Sequence, residues 1–487
     1  MLSLTLALLP ALSYAWPPTF GLELNLRSKK LQNIWAARMR ESNTQTPTET
    51  GEGAETRKFA EALFRKCQPL CQRTEHVGKF GLTEWRFQFE SGFQFNLSTD
   101  PATVEVQVGP FVLEDWKRYR ADIQTYLYDF AKKEGLSHER DESSKDNSAH
   151  LNMGFASSFD SGRQFAHFLA DYWQYWELGD GLLGGDPDNA PPLSLLNSGQ
   201  KTAAKKILEN FNRGGRPITA HDLAVQISRQ VYTYTPTFSD GPEHYQQVGL
   251  KYVVGRRTLK GDGLGDVPYE LRANREPESA EVAVLQLELQ QMRLEYHRRN
   301  ADQPIFLDVE TVDQTKGMTT PRSRLTAFAL YLGDMGALDQ LDRFRPILSR
   351  EVSGRSILDF MGASFSWRNP NMVDDLVSMS LRARHSPYLR ERLVQLFQDP
   401  ESFNAPGAKT IIEKLIPKIS EYEDDPLTQA LRAMISSPGW VGQALATEMD
   451  TKISVQVHQK RQAQGFSRRA EELWSSCRTF FQSGWAP

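Results

Sequence analysis

Val267-Pro-Tyr-Glu-Leu-Arg272 holds the residue types on which the chemistry of this chain turns. In an extended backbone side chains alternate between faces, so Val267, Tyr269 and Leu271 point one way and Glu270 and Arg272 the other. A carboxylate beside a guanidinium fork can hold a metal ion and clamp a transferred phosphate. On a solvated strand the same two residues form a surface ion pair of little energetic worth. The other strands decide between these readings.

Gly21-Leu-Glu-Leu-Asn-Leu-Arg27 alternates throughout, with Leu22, Leu24 and Leu26 on one face and Glu23, Asn25 and Arg27 on the other. Two further alternating runs, Trp85-Arg-Phe-Gln-Phe-Glu90 and Phe93-Gln-Phe-Asn-Leu97, are joined at Ser91-Gly92 and predict a hairpin with a two-residue connection. Thr103-Val-Glu-Val-Gln-Val108 and His150-Leu-Asn-Met-Gly-Phe155 complete the set. Assembled into an antiparallel or mixed sheet, these strands present Glu23, Arg27, Arg86, Glu90, Glu105, His150, Asn152, Glu270 and Arg272 on a single polar face. Those positions hold no Lys and one small hydroxyl, Thr103, whereas water-facing sheets are rich in Lys, Thr and Ser. Carboxylates, amides, imidazole and guanidinium are groups that bind hard cations and phosphates.

The elements that must position this face are read from periodicity. Helices are expected at 55–70, at 114–134 with a stripe from Trp116 to Phe130, at 163–176, at 201–211, at 221–230, and at 278–299 with basic last turns. Residues 44–55 and 179–192 read as loops. Beyond about 305 the periodicity is mainly helical, near 323–332, 373–383, 388–397, 410–422 and 427–435, with no fixed repeat. The fold class is therefore α+β: a mostly antiparallel sheet with helices on one face, followed by a mainly helical C-terminal region.

The chain has 487 residues, 39% hydrophobic and 24% charged, which is an ordinary globular composition too long for one small domain. A net charge of -4 argues against nucleic acid as the main partner. Residues 1–15 are apolar without an acidic group and end in Ser13-Tyr14-Ala15, as a secretory signal cleaved before Trp16 would. Export to a secreted or periplasmic location is expected, with a cytoplasmic protein as the alternative. The segment is too short to span a bilayer, and no later stretch is apolar enough, so stable membrane insertion is not expected. Of three cysteines, Cys67 and Cys71 are spaced to close a small disulfide if Pro69 breaks the helix.

The order Gly-Leu-Glu-Leu-Asn, Val-Glu-Val-Gln-Val-Gly-Pro, His-Leu-Asn-Met-Gly and Tyr-Glu-Leu-Arg before a long helix resembles the amidoligase branch of the glutamine synthetase and glutamate-cysteine ligase superfamily. The resemblance spans 21 to about 299, which implies a catalytic domain over 16–300 and a separate region over 301–487. It implies a curved, funnel-like sheet that holds ATP and Mg²⁺ or Mn²⁺. By that resemblance Glu23, Glu105, His150 and Glu270 are metal ligands, and Arg272 clamps the transferred phosphate. Arg275 or Arg27 supports Arg272, Arg27 and Asn152 contact the cofactor, and Glu90 takes the proton from the amine. The sequence departs from the family at Asn25 and Asn152, where a second Glu and a second His are usual, and at Gly249 of Tyr245-Gln-Gln-Val-Gly249.

The implied reaction is ATP-dependent amide formation between a carboxylate and an amine of amino acid or peptide substrates, through an acyl phosphate. Export would place the protein where ATP is scarce. The alternatives are a metal-dependent hydrolase on the same face and a secreted protein that grips peptide or glycan with Trp173, Tyr175 and Trp176.

Overall fold

The computed structural model describes residues 17–44, 46–137, 148–175, 196–213, 217–232, 246–255, 266–305, 307, 309 and 321–348, with shorter pieces at 413–418, 426–435, 450–460 and 462. The proposed signal at 1–15, the loop at 179–192 and the helices expected at 373–383 and 388–397 lie outside them. The chain divides into two compact units, Met1–Val309 with Asp342–Ser349, and Glu310–Leu341 with Arg350–Pro487.

In the first unit, eight strands form one sheet: β1 (Thr19–Arg27), β2 (Cys71–Val77), β3 (Thr83–Phe89), β4 (Gln94–Asp100), β5 (Thr103–Val112), β6 (Ser148–Gly154), β7 (Val248–Gly249) and β8 (Pro268–Arg275). Their order is β2-β3-β4-β5-β1-β6-β8-β7, and neighbours pair antiparallel throughout. The sheet is open and uncurled, with β2 and β7 as its edges. One row of apolar side chains, Val108, Leu22, Leu151 and Leu271, crosses four strands in register, and all four are buried. This row is what the alternation of leucine and valine dictates: once one face is buried, a slip by one residue would expose the whole row.

Among the described residues of this unit, eleven α-helices accompany the sheet: α1 (Lys29–Ser42), α2 (Glu52–Cys67), α3 (Leu113–Arg118), α4 (Arg120–Ile123), α5 (Phe130–Lys133), α6 (Phe155–Ser158), α7 (Gly162–Gln174), α8 (Ser198–Glu209), α9 (Ala220–Gln230), α10 (Lys251–Gly255) and α11 (Ala280–Arg299). Helices cover the apolar face. Trp116 of α3 donates its indole N–H to the Phe20 carbonyl at 2.9 Å. Thr56 of α2 meets Thr99 of β4 at 2.9 Å, and Phe168 of α7 packs edge-on to Tyr269 of β8. The long helix α11 packs on α3, α4 and α7. Its Ser279 cap accepts from Val282 N, and its last turn carries His297, Arg298 and Arg299, as the helix dipole favours.

Several local expectations change. The helix expected over 114–134 is interrupted by a π-helical turn, Gln124–Asp129, and Gln124 Oε1 accepts the N–H of Ala280 at the start of α11. The β3–β4 connection has three residues rather than two: Phe89 pairs with Phe93, and Gly92 supplies a φ of 90°. Helix α2 stops at Cys67 because Gln68, preceding Pro69, is extended, and Cys67 and Cys71 are disulfide-bonded. Trp173 and Tyr175 are buried core residues, so they offer no platform for peptide or glycan; Trp176 lies outside the described residues. No helix among the described residues is long and apolar enough to cross a membrane.

The described elements of the second unit are helical. Pro321–Asp334 and Pro426–Ile435 are helices there, close to the expected 323–332 and 427–435.

Candidate metal centre

Three strands build the centre. Glu23 of β1 stands directly opposite His150 of β6, Gly21 opposite Asn152, and Asn152 in turn opposite Glu270 of β8. Opposed residues share a face of the sheet, so the polar side chains converge there. His150 Nδ1 lies 2.7 Å from Glu23 Oε2. Asn152 donates its amide N–H to Glu23 Oε1 at 2.8 Å, and Arg272 donates Nη1–H to Glu270 Oε2 at 2.9 Å.

One donor atom each from Glu23, His150 and Glu270 lies within 4.8 Å of the other two. A divalent ion bound to oxygen and nitrogen at about 2.0–2.6 Å holds its ligand atoms at such separations. Two carboxylates and an imidazole suit Mn²⁺ or Mg²⁺ better than soft metals. Asn152 Oδ1 is a buried acceptor without a hydrogen-bond partner beside the three, a further hard oxygen in a place where an unsatisfied acceptor is costly. The residues present therefore fit a hard divalent cation. Burial pushes the Glu23 carboxyl up, but the His150 charge, hydrogen bonds from His150 and Asn152, and the Arg272 charge outweigh it and hold it at about 2.

Two backbone features shape the centre. Between Leu151/Leu271 and Ala149/Asn274 the β6–β8 register shifts by one, so Arg272 and Ala273 together oppose His150. A bulge of this kind shifts the pairing that follows it, and this one offsets Asn274 and Arg275 against β6. At Gly21 a side chain would crowd Asn152, whose Cβ lies 3.4 Å from the place a Cβ would take.

The remaining site residues expected from sequence are placed apart from this cluster. Glu105 is on the same face but opposes Asn25, and its carboxylate accepts from Ser98 and Gln107. Arg27 is four residues along β1 from Glu23, about 13 Å at the rise of a strand, and opposes Thr103. Glu90 is exposed at the β3–β4 turn, with β4 and β5 between its strand and β1, about 14 Å across the sheet. Arg275, beyond the bulge, donates to Glu278 Oε1 at 3.1 Å and to the Pro346 carbonyl at 2.8 Å, so it ties the 342–349 segment to β8.

Two supporting groups escaped the sequence reading. The Glu276 carboxylate accepts the Asn25 N–H at 2.6 Å, just past the point where β6 ceases to pair with β1. The Gln247 carbonyl accepts the Arg272 N–H at 3.1 Å. Neither belongs to an alternating run that would have flagged it. Comparison with known protein families, with characterised proteins and with solved structures returns no match.

Proposed function

We propose that this chain is an ATP- and divalent-metal-dependent carboxylate–amine ligase acting on amino acid or peptide substrates, centred on Glu23, His150, Glu270 and Arg272. The observation that supports this reading is the metal-sized cluster of two carboxylates and an imidazole with a guanidinium 2.9 Å from one of the carboxylates. Glu23, His150, Glu270 and the Asn152 amide oxygen would hold a divalent cation, which would neutralise charge on nucleotide phosphates. Arg272 contributes a fixed positive fork at the edge of the same cluster, where it would orient a phosphoryl group as it leaves ATP. In this reaction class the substrate carboxylate takes the terminal phosphoryl group of ATP, and the amine then displaces phosphate to form the amide. Glu90 and Arg275 stand outside the cluster and have no role in this reading. Glu105 and Arg27, further along the same face, are the groups a nucleotide would reach next. The Cys67–Cys71 disulfide supports export, since such bonds persist in oxidising compartments.

The test is ADP release by the purified protein with Mn²⁺ or Mg²⁺, ATP and a mixture of amino acids, beside calorimetric titration of Mn²⁺ alone. ADP release that requires both metal and amino acids, and falls by about 10³-fold in Arg272→Lys, is the expected result. A protein that binds no ATP with either metal is not a ligase. Mn²⁺ binding that survives in such a protein would leave a metal centre without nucleotide chemistry, and release of amino acids from a peptide mixture with Mn²⁺ would then assign it to hydrolysis.

A further inference from the structure

The outer edge of β2 is built to pair with itself. Among the described residues, β2 closes one end of the sheet order, with only β3 beside it. Residues 74–77 are exposed, and Val77 is 79% and the flanking Leu70 52% accessible. Phe80, just beyond the strand, is 42% accessible. Three of the five large apolar side chains exposed among the described residues therefore sit at this edge. Natural sheets cover or blunt such an edge, because its free N–H and C=O groups template another strand.

The register of that other strand can be derived. Glu90 donates its N–H to the Leu70 carbonyl, in line with the β2–β3 pairing of Cys71 with Phe89. In an antiparallel pair, residues that bond the neighbour alternate with residues that bond the opposite side. Leu70, Gln72, Thr74 and His76 thus turn their backbone groups to β3, and Cys71, Arg73, Glu75 and Val77 turn theirs outward. A twofold axis perpendicular to the sheet keeps each face on its own side, so odd positions must oppose odd positions. Centred on Arg73 or Glu75, that axis sets like charges directly opposite, which is unfavourable. Centred on Thr74, it sets Arg73 opposite Glu75 of the second copy, twice, and Cys71 opposite Val77, twice. All four outward residues of each strand then gain partners, and Leu70 opposes Gly78 of the other copy.

We infer that the β2 edge is a homodimer interface in which two copies of this chain join antiparallel about Thr74 into one continuous sheet. This inference is independent of the reaction at the polar face. Arg73 already lies 3.0 Å from Glu75 and 4.9 Å from the Phe64 ring, and Trp85 donates to Glu75, so both charges are held in place before a partner arrives.

The experiment uses sedimentation velocity of the full chain, its Arg73→Glu and Glu75→Arg variants, and their mixture. Wild type should sediment as a dimer and each variant as a monomer, because each sets like charges opposite. The mixture should regain the dimer, because the two variants complement each other across the axis. In a Cys477→Ser background, Thr74→Cys should form a disulfide-linked dimer under mild oxidation, since the axis places the two positions about 4.5 Å apart between Cα atoms. A monomeric wild type at tens of micromolar overturns the proposal. So does a dimer that survives both charge variants and fails to cross-link at position 74, for it would join through another surface. If a charge variant fails to fold, the cross-link decides alone.

Discussion

Glu23 Oε2 and His150 Nδ1 lie 2.7 Å apart at directly opposed positions of β1 and β6. The same two groups belong to the cluster that suits a divalent ion. An ion in that cluster would take over the contact between them. The juxtaposition follows from pairing register alone, since neither strand brings the residues together without the other.

Mn²⁺ binding should depend on both members of this pair, because each offers one ligand atom to the same cluster. Calorimetric titration of Mn²⁺ at about pH 7 should show weaker binding in Glu23→Gln and in His150→Ala than in wild type. Affinity unchanged in both variants would separate the ion from the Glu23–His150 pair.

The metal-free protein should lose stability in acid through Glu23. The carboxyl is held at about 2, below its ordinary 4.5: burial pushes it up, but His150, Asn152 and Arg272 together outweigh burial. A group depressed in this way stabilises the fold fully above its unfolded value, and that contribution disappears as pH falls from about 4.5 to about 2. Thermal melts over pH 2–6 should show a steeper fall for wild type than for Glu23→Gln. Equal slopes would mean that the Glu23 carboxyl titrates alike in the folded and unfolded chain.

Arg272→Ala should destabilise the protein by about 3–5 kcal/mol, the cost of stranding one member of a buried ion pair. Alternation placed Arg272 on the polar face of the sheet, away from the apolar core, so its truncation is expected to spare the fold. In the structure Arg272 is 5% and Glu270 2% exposed, and the two are paired at 2.9 Å. Urea denaturation measures the loss, and millimolar Mn²⁺ should restore part of it by giving Glu270 a new cationic neighbour. A variant as stable as wild type would show that the pair is not stabilising.

The sheet was legible because leucine and valine alternate in β1 and β5 without interruption, and the same alternation placed Glu23, Glu105, His150 and Glu270 on one face. The lateral position of each strand was not legible. Only pairing order separates Glu90, with two strands between it and β1, from His150, which adjoins β1. β2 was missed because Arg73 and Glu75 occupy its inward phase, and β7 because two residues carry no period. The bulge opposite His150 has no sequence signature without a glycine, yet it sets which residues of β8 oppose the start of β6. Helix α11 was found, but its buried Arg293 and His297 were not interpreted, since their partner, Asp171, comes from α7.

Asp171, Arg293 and His297 form a second buried charge network. Asp171 Oδ2 of α7 accepts from Arg293 Nε at 2.8 Å and lies 3.1 Å from His297 Nε2, while the Arg293 guanidinium sits 4.3 Å from the centre of the Tyr172 ring. Burial pushes the Asp171 carboxyl up, but Arg293 and His297 outweigh it and hold it below its ordinary value. Arg293→Met keeps much of the apolar stem and removes the charge, so it should cost about 3–5 kcal/mol at pH 7 by leaving Asp171 buried beside His297 alone. Asp171→Asn added to it should recover part of that loss, because an amide is far cheaper to bury than an unpaired carboxylate. A double-mutant cycle by urea denaturation measures the coupling, expected at 0.5–3 kcal/mol for residues in one network. Mn²⁺ affinity should stay within twofold in all three variants, because the network lies under Tyr269 on the apolar face, through Phe168, and the candidate metal ligands project from the other. Additive effects would show that Asp171 and Arg293 are not coupled, and a large loss of Mn²⁺ binding would show that the helix layer sets the geometry of the polar face.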